Sequence, residues 1–226
     1  GDDGVTWSKP VEITGTTKKP DWTWYATGPG VGIQLTGGRL IIPCDFAVKV
    51  TKDYGSHVIY SDDHGKTWKL GGSVQPKCNE CQVVELADGS LLLNMRSYRG
   101  LNCRAVTKSF DSGLTWSGVT HDRTLVEPVC QASLIRYGDN FLFSNPADTK
   151  RVNMTVRMSR DNCGSWPVSR TLYPGPSAYS CLSILDDGEI ACLYERGEKH
   201  PYEMITFAAF NLEWLTNDAD WLPEKK

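Results

Sequence analysis

The 226 residues carry 24 Lys and Arg against 27 Asp and Glu, for a net charge of −3, with 40% hydrophobic side chains. That is enough chain to bury a substantial core, as one large domain or two small ones. The basic residues are scattered with no Lys/Arg run, which argues against a nucleic-acid partner, and no apolar stretch approaches the roughly 18–20 residues of a membrane span.

In chain order, short apolar runs alternate with turn residues. Residues 40–43 follow Gly37-Gly38, and residues 57–60 come next. Residues 82–86 run into Ala87-Asp88-Gly89-Ser90 and return as 91–95. Residues 130–137 and 141–144 flank Gly138-Asp139-Asn140, and residues 152–158 follow. Residues 181–185 turn through Asp186-Asp187-Gly188-Glu189 into 190–194, and 204–210 close the series. Asp-Gly pairs between apolar runs are strong hairpin signals. Helical periodicity is expected only briefly, near 212–215, and no Pro/Gly-rich linker divides residues 1–226. The chain reads as one all-β domain.

A phrase recurs through it: Asp2-Asp3-Gly4-Val5-Thr6-Trp7, then Ser61-Asp62-Asp63-His64-Gly65-Lys66-Thr67-Trp68, then Ser109-Phe110-Asp111-Ser112-Gly113-Leu114-Thr115-Trp116. A degenerate copy is Ser159-Arg160-Asp161-Asn162-Cys163-Gly164-Ser165-Trp166, and the tryptophans lie 61, 48 and 50 residues apart. Such a period marks repeated supersecondary units, and about four strands fit each interval, the content of a propeller blade. Each Asp is expected to accept hydrogen bonds across its own turn, Gly to supply a positive φ, and Trp to pack between sheets. A carboxylate satisfied in this way is scaffold rather than chemistry.

The eight cysteines include Cys78-Asn79-Glu80-Cys81, but no second CxxC or His pair completes a zinc site, and His57, His64, His121 and His200 have no metal spacing. Buried thiols or some disulfides are the expectation, and no cofactor is called for. Gly28-Pro29-Gly30-Val31-Gly32 echoes a phosphate loop, but no Lys-Ser/Thr follows. The cysteine count and the sequon Asn153-Met154-Thr155 lean towards an extracytoplasmic setting, whether secreted, periplasmic or lysosomal.

Several segments together resemble the exo-α-sialidases. They are Trp24-Tyr25-Ala26-Thr27-Gly28-Pro29-Gly30-Val31-Gly32-Ile33-Gln34-Leu35, Asn79-Glu80-Cys81-Gln82-Val83-Val84-Glu85-Leu86 and Asn94-Met95-Arg96. To these are added Ser144-Asn145-Pro146, Arg151-Val152-Asn153-Met154-Thr155-Val156-Arg157, Pro174-Gly175-Pro176-Ser177-Ala178-Tyr179-Ser180 and Leu193-Tyr194-Glu195. The likeness runs along nearly the whole chain, towards lysosomal-type animal and secreted bacterial sialidases.

The resemblance implies a β-propeller of about six blades, of which this chain would cover roughly four with one Asp turn per blade. It also implies sialylated glycans as partners. Sialic acid bears a carboxylate on its anomeric carbon, which the planar fork of arginine meets bidentately. By the family pattern Arg96 and Arg151 are two of three such arginines, with Arg157, Arg104 and Arg99 as nearby competitors. A carboxylate nucleophile would be repelled there, whereas a neutral phenol is not, and sialidases are the tyrosine exception among retaining glycosidases. The pattern places the nucleophile at Tyr179, its base at Glu80, an arginine-orienting acid at Glu195, and pocket-wall residues at Asp45 and Phe46. Tyr173 and Glu85 would be framework. The third arginine and an Asp acid/base belong, in that pattern, before the first Asp turn. The 226 residues are therefore expected to be a C-terminal portion with little turnover until a further segment completes the ring. The other reading is a non-catalytic propeller that binds sialoglycans or a protein.

Overall fold

A computed structural model of the chain describes residues 2–217. After a short helix α1 (Thr14–Thr17), five strands form the first sheet: β1 (Trp22–Thr27), β2 (Ile33–Gln34), β3 (Leu40–Val48), β4 (Tyr54–Ser61) and β5 (Lys69–Val74). Its order is β1-β3-β4-β5, with β2 pairing the start of β3. The second sheet runs β6 (Cys78–Glu85), β7 (Leu91–Ser97), β8 (Cys103–Ser109) and β9 (Thr120–Val126) in sequence order. The third path comprises β10 (Ser133–Tyr137), β11 (Asn140–Pro146), β12 (Val152–Ser159), β13 (Val168–Ile184), β14 (Ile190–Arg196) and β15 (Met204–Phe210). Strand β13 has 17 residues and serves two neighbours: its first half pairs with β12, and its second half, from Ser177, pairs with β14. Every pairing is antiparallel, as consecutive hairpins require.

The expected hairpins form where the turn residues stand. Gly89 and Gly188 take φ of +79° and +90° between β6 and β7 and between β13 and β14. The carboxylate of Asp88 accepts from Ser90 N at 3.0 Å, closing the first of these turns. The helix expected near 212–215 is α2 (Leu212–Thr216), capped by the Asn211 side chain accepting from Trp214 N. The core strands are buried on both faces, so Val83 and Val84 on β6 and Leu91 to Met95 on β7 are all within the interior.

The repeated turns join the third strand to the fourth in three sheets, β4 to β5, β8 to β9 and β12 to β13. Asp111 accepts from Leu114 N, Thr115 N and the Thr115 and Ser109 hydroxyls at 2.5–3.0 Å. Asp63 and Asp161 repeat the arrangement. The glycine position takes φ of +82° in Gly65 and +89° in Gly113, and Cys163 holds +61° there in the degenerate copy. The tryptophans bind neighbouring sheets together. Trp116 donates to Gly72 O at 3.0 Å on β5, and Trp166 donates to Asp122 Oδ2 at 2.8 Å on β9, each the last strand of the preceding sheet. Gly72 is required there, since a Cβ would lie 2.8 Å from the indole of Trp116. The copy at Asp2–Trp7 keeps its internal bonds, but Trp7 is exposed, and the sheet of β14 and β15 carries no copy among the described residues.

All eight cysteines are free thiols, six of them buried. Among the described residues no three His, Cys, Asp or Glu side chains gather as for a metal ion, and no helix is long and apolar enough to cross a membrane.

Candidate active site

The residues singled out from sequence lie at the sheet ends opposite the Asp turns. Strand β6 begins beside the end of β7, with Cys78 opposite Ser97, while the Asp turn of that sheet follows the far end of β8. Glu80 near the start of β6 and Arg96 near the end of β7 therefore share one end. Tyr179 joins them from the middle of β13, where the pairing with β14 shifts between Ser177 and Ser180. Such an irregularity breaks the ladder and re-aims a side chain.

The three side chains form one hydrogen-bonded cluster. Tyr179 Oη donates to Glu80 Oε1 in a short contact. Arg96 Nη1 donates to Glu80 Oε2 at 2.8 Å and to Tyr179 Oη at 3.2 Å. The side chains of Arg96 and Glu80 are only 13% and 12% exposed, so the ion pair is little screened by solvent. Burial, then the hydrogen bond and charge of Glu80, hold the Tyr179 phenol well above its ordinary pKa, with Arg96 acting in the opposite sense. The resting phenol is thus neutral, and its proton already points at a carboxylate. For Arg96, burial favours the neutral form, but the hydrogen bond and charge of Glu80 outweigh it and raise its pKa. The cluster can bind an anion beside a phenol whose proton has an acceptor in contact.

The Arg151 guanidinium carbon lies 5.8 Å from the centre of the Tyr179 phenol ring and equally far from that of Tyr202. Arg151 donates to Tyr202 Oη in a short contact and to Val129 O at 3.4 Å, and no carboxylate among the described residues pairs with it. Glu195 on β14 accepts from Tyr179 N at 3.0 Å, so here it holds the backbone of that residue.

Asp45 lies on β3 with 1% exposure and lines a pocket of ≈ 210 Å³ with Trp24, Tyr54, Asn79, Glu80, Arg96 and Tyr98. Its Oδ2 accepts from Trp24 Nε1 at 2.9 Å and Asn79 Nδ2 at 2.8 Å, while the buried Oδ1 has no partner among the described residues. Desolvation pushes its pKa up to about 7, opposed by the Trp24 hydrogen bond and reinforced by the charge of Glu80. Phe46, next along β3, is not among these lining residues. It is fully buried and stacked on Trp22 with ring centres 3.8 Å apart, because successive strand residues face opposite ways.

The competing arginines are engaged elsewhere. Arg104 is fully buried against Glu127 at 2.6 Å, Arg157 donates to Asn145 Oδ1 at 3.1 Å, and Arg99 donates to Pro76 O at 3.0 Å. Glu85 accepts from Thr36 N at 2.8 Å, and Tyr173 donates to Gly197 O at 2.7 Å. Sequence reasoning missed Trp24, Asn79, Tyr98 and Tyr202 as neighbours of the cluster. Asn79 and Trp24 sat inside quoted motifs, but Tyr202 lies in the turn between β14 and β15, where nothing in the sequence points to it.

Residues 1–192 match the BNR repeat-like domain family. The chain belongs to this family. The chain is 39% identical over 225 residues to a sialidase of Bacteroides fragilis, covering 94% of this chain and 40% of that protein. It is 38% identical over 229 residues to a sialidase of Micromonospora viridifaciens, covering 95% of this chain and 34% of the relative. Among solved structures, the Hadza microbial sialidase Hz136 superposes with a TM-score of 0.84 at 38% identity, over 95% of this chain and 43% of that one. The intramolecular trans-sialidase from Ruminococcus gnavus, solved with oseltamivir carboxylate, gives 0.79 at 28% identity, over 95% and 50%. This BNR-repeat chain thus has the β-propeller architecture of the sialidases and spans less than half the length of these two curated relatives.

Proposed function

We propose that this chain carries the nucleophile and carboxylate-binding half of a retaining exo-α-sialidase, releasing terminal sialic acids from glycoproteins, glycolipids or oligosaccharides. The single observation supporting this is the Tyr179 phenol held jointly by the Glu80 carboxylate and the Arg96 guanidinium. A framework tyrosine is satisfied by any hydrogen-bond acceptor, whereas a phenol nucleophile needs a base that can take its proton, and Glu80 is one.

In this reading Arg96, bonded to the Tyr179 hydroxyl, and Arg151, beside its ring, receive the substrate carboxylate and set the anomeric carbon over the phenol oxygen. As Tyr179 Oη bonds to that carbon, Glu80 accepts the phenol proton and the glycosidic bond breaks with its electron pair on the leaving oxygen. Glu80 returns that proton to Tyr179 when water attacks the anomeric carbon from the face the leaving group vacated, the water's proton passing to the group that protonated the leaving oxygen, giving net retention. Asp45 lies on the wall of the adjoining pocket, where its Oδ2 holds Trp24 and Asn79 in place. The proton for the leaving oxygen, and a third arginine that Glu195 would orient, are assigned to protein outside these 226 residues, in line with the greater length of the relatives. An extracytoplasmic location suits an enzyme that trims secreted or surface glycans.

The test is hydrolysis of a fluorogenic sialoside by the full-length protein that carries this chain, beside its Tyr179→Phe variant. Turnover abolished by the substitution supports the assignment. An inert full-length protein, or a variant as fast as its parent, defeats it.

A further inference from the structure

The segment Glu127-Pro128-Val129-Cys130-Gln131, between β9 and β10, contacts Arg151 and the chain neighbours of Arg96 and Tyr179. Glu127 and Arg104 form an ion pair that is 1% and 0% exposed. Glu127 Oε1 accepts from Ser97 N at 2.8 Å, the residue after Arg96. Arg104 donates to Cys130 O at 2.7 Å and to Asn94 Oδ1 at 2.6 Å, which ties the far side of the segment back to β7. Between these anchors Val129 is held at φ +54°, a left-handed conformation that a β-branched residue rarely adopts, and its carbonyl faces Arg151 Nη2 at 3.4 Å. Gln131 then reaches the other way. Its side-chain amide accepts from Ser180 N at 2.9 Å and donates to Ser180 O at 2.8 Å, as a neighbouring strand would, beside the irregularity that frees Tyr179 from the ladder.

Stability alone does not call for this arrangement. A buried ion pair is often no better than an apolar pair of the same volume. An apolar pair, however, cannot bond Ser97 N and Cys130 O together and so cannot hold Val129 in its strained conformation. We propose that the Glu127–Gln131 segment is the positioning element of the site: the Glu127–Arg104 pair sets Arg96 and Arg151 relative to each other, and Gln131 sets Tyr179 beside them. The inference rests on the sialidase reading for its kinetic consequences, but not for its geometry.

The test uses the full-length protein and two variants. In Glu127→Met/Arg104→Met both charges are removed, so no buried charge is left unpaired; in Gln131→Met only the amide is lost. Each is assayed on a fluorogenic sialoside and on the same glycoside with its carboxylate converted to a carboxamide. The double variant should raise KM for the sialoside about tenfold and lose a similar factor of preference for the carboxylate. Gln131→Met should keep that preference and lose ~10²-fold in kcat, the cost of misplacing a reacting group by about an ångström. A merely structural segment would lower the melting temperature or the active fraction and leave both the preference and the KM-against-kcat split unchanged, which would overturn the proposal. Should the double variant not fold, Glu127→Gln takes its place. If the unaltered protein hydrolyses no sialoside, the functional reading fails, and crystal structures of the variants decide the positioning claim. Displaced Arg96 and Arg151 in the first, and displaced Tyr179 in the second, sustain it; unmoved side chains in both overturn it.

Discussion

The two ends of the sheets treat the same side chain in opposite ways. At one end, the Asp111 and Asp161 carboxylates are satisfied by hydroxyls and amides no more than four residues away, first by the side chains of Thr115 and Ser165, and their pKa falls to about 2. At the other end, Asp45 is drawn out of water with one oxygen unpartnered, and its pKa rises to about 7. The first kind of carboxylate stabilises the turn that contains it. The second costs stability wherever it ionises.

Substitutions at the two ends should therefore differ in kind. Replacement of Glu80 by Gln removes the acceptor for the phenol proton, and kcat on a fluorogenic sialoside should fall ~10²–10⁴-fold with little change in melting temperature. Arg96→Lys keeps the charge but loses the fork that serves Glu80 and Tyr179 together; kcat/KM should fall ~10-fold or more, chiefly through KM. A fall in kcat/KM carried by kcat alone would remove Arg96 from carboxylate binding.

Asp45→Asn should act on stability through pH. Because the folded-state pKa is raised, Asp45 holds its proton more tightly in the folded protein than in the unfolded chain. Its contribution is fully present below about pH 4 and is lost as pH rises through about 7. Chemical denaturation at pH 4 and pH 8 should show the parent losing stability relative to the variant across that interval, and parallel curves would contradict the buried, raised carboxyl. The smallest effect belongs to the other end: Asp111→Ala should lower the melting temperature by about 2–4 °C, the equivalent of about 1 kcal/mol in a domain of this size, with kcat and KM unchanged.

The same contrast explains what could be read from the residues alone. The Asp turns were legible because their bonds span at most four residues, and the hairpins at Asp88-Gly89 and Asp187-Gly188 were legible for the same reason. The use of the turn tryptophans was foreseen, but not their targets, since Trp116 and Trp166 each reach 44 residues back to the preceding sheet. Tyr179 meets Glu80 across 99 residues and Arg96 across 83, so no local pattern could pair them, and only the family resemblance drew attention to all three. That resemblance also placed Phe46 beside Asp45, where strand alternation sends it into the core. The clamp at Glu127 and Gln131 left no trace in the sequence, because a Glu and a Gln in a linker read as surface residues until burial shows otherwise.

The claim on which the rest depends is that Tyr179 is the nucleophile. It is tested most directly by quenching the full-length protein within its first turnover of an activated aryl sialoside and locating the bound sugar by peptide mass spectrometry. The account predicts one sialyl group on the peptide containing Tyr179, absent in Tyr179→Phe. Sugar attached to another residue, or product formed at that time with no adduct on the protein, would contradict it.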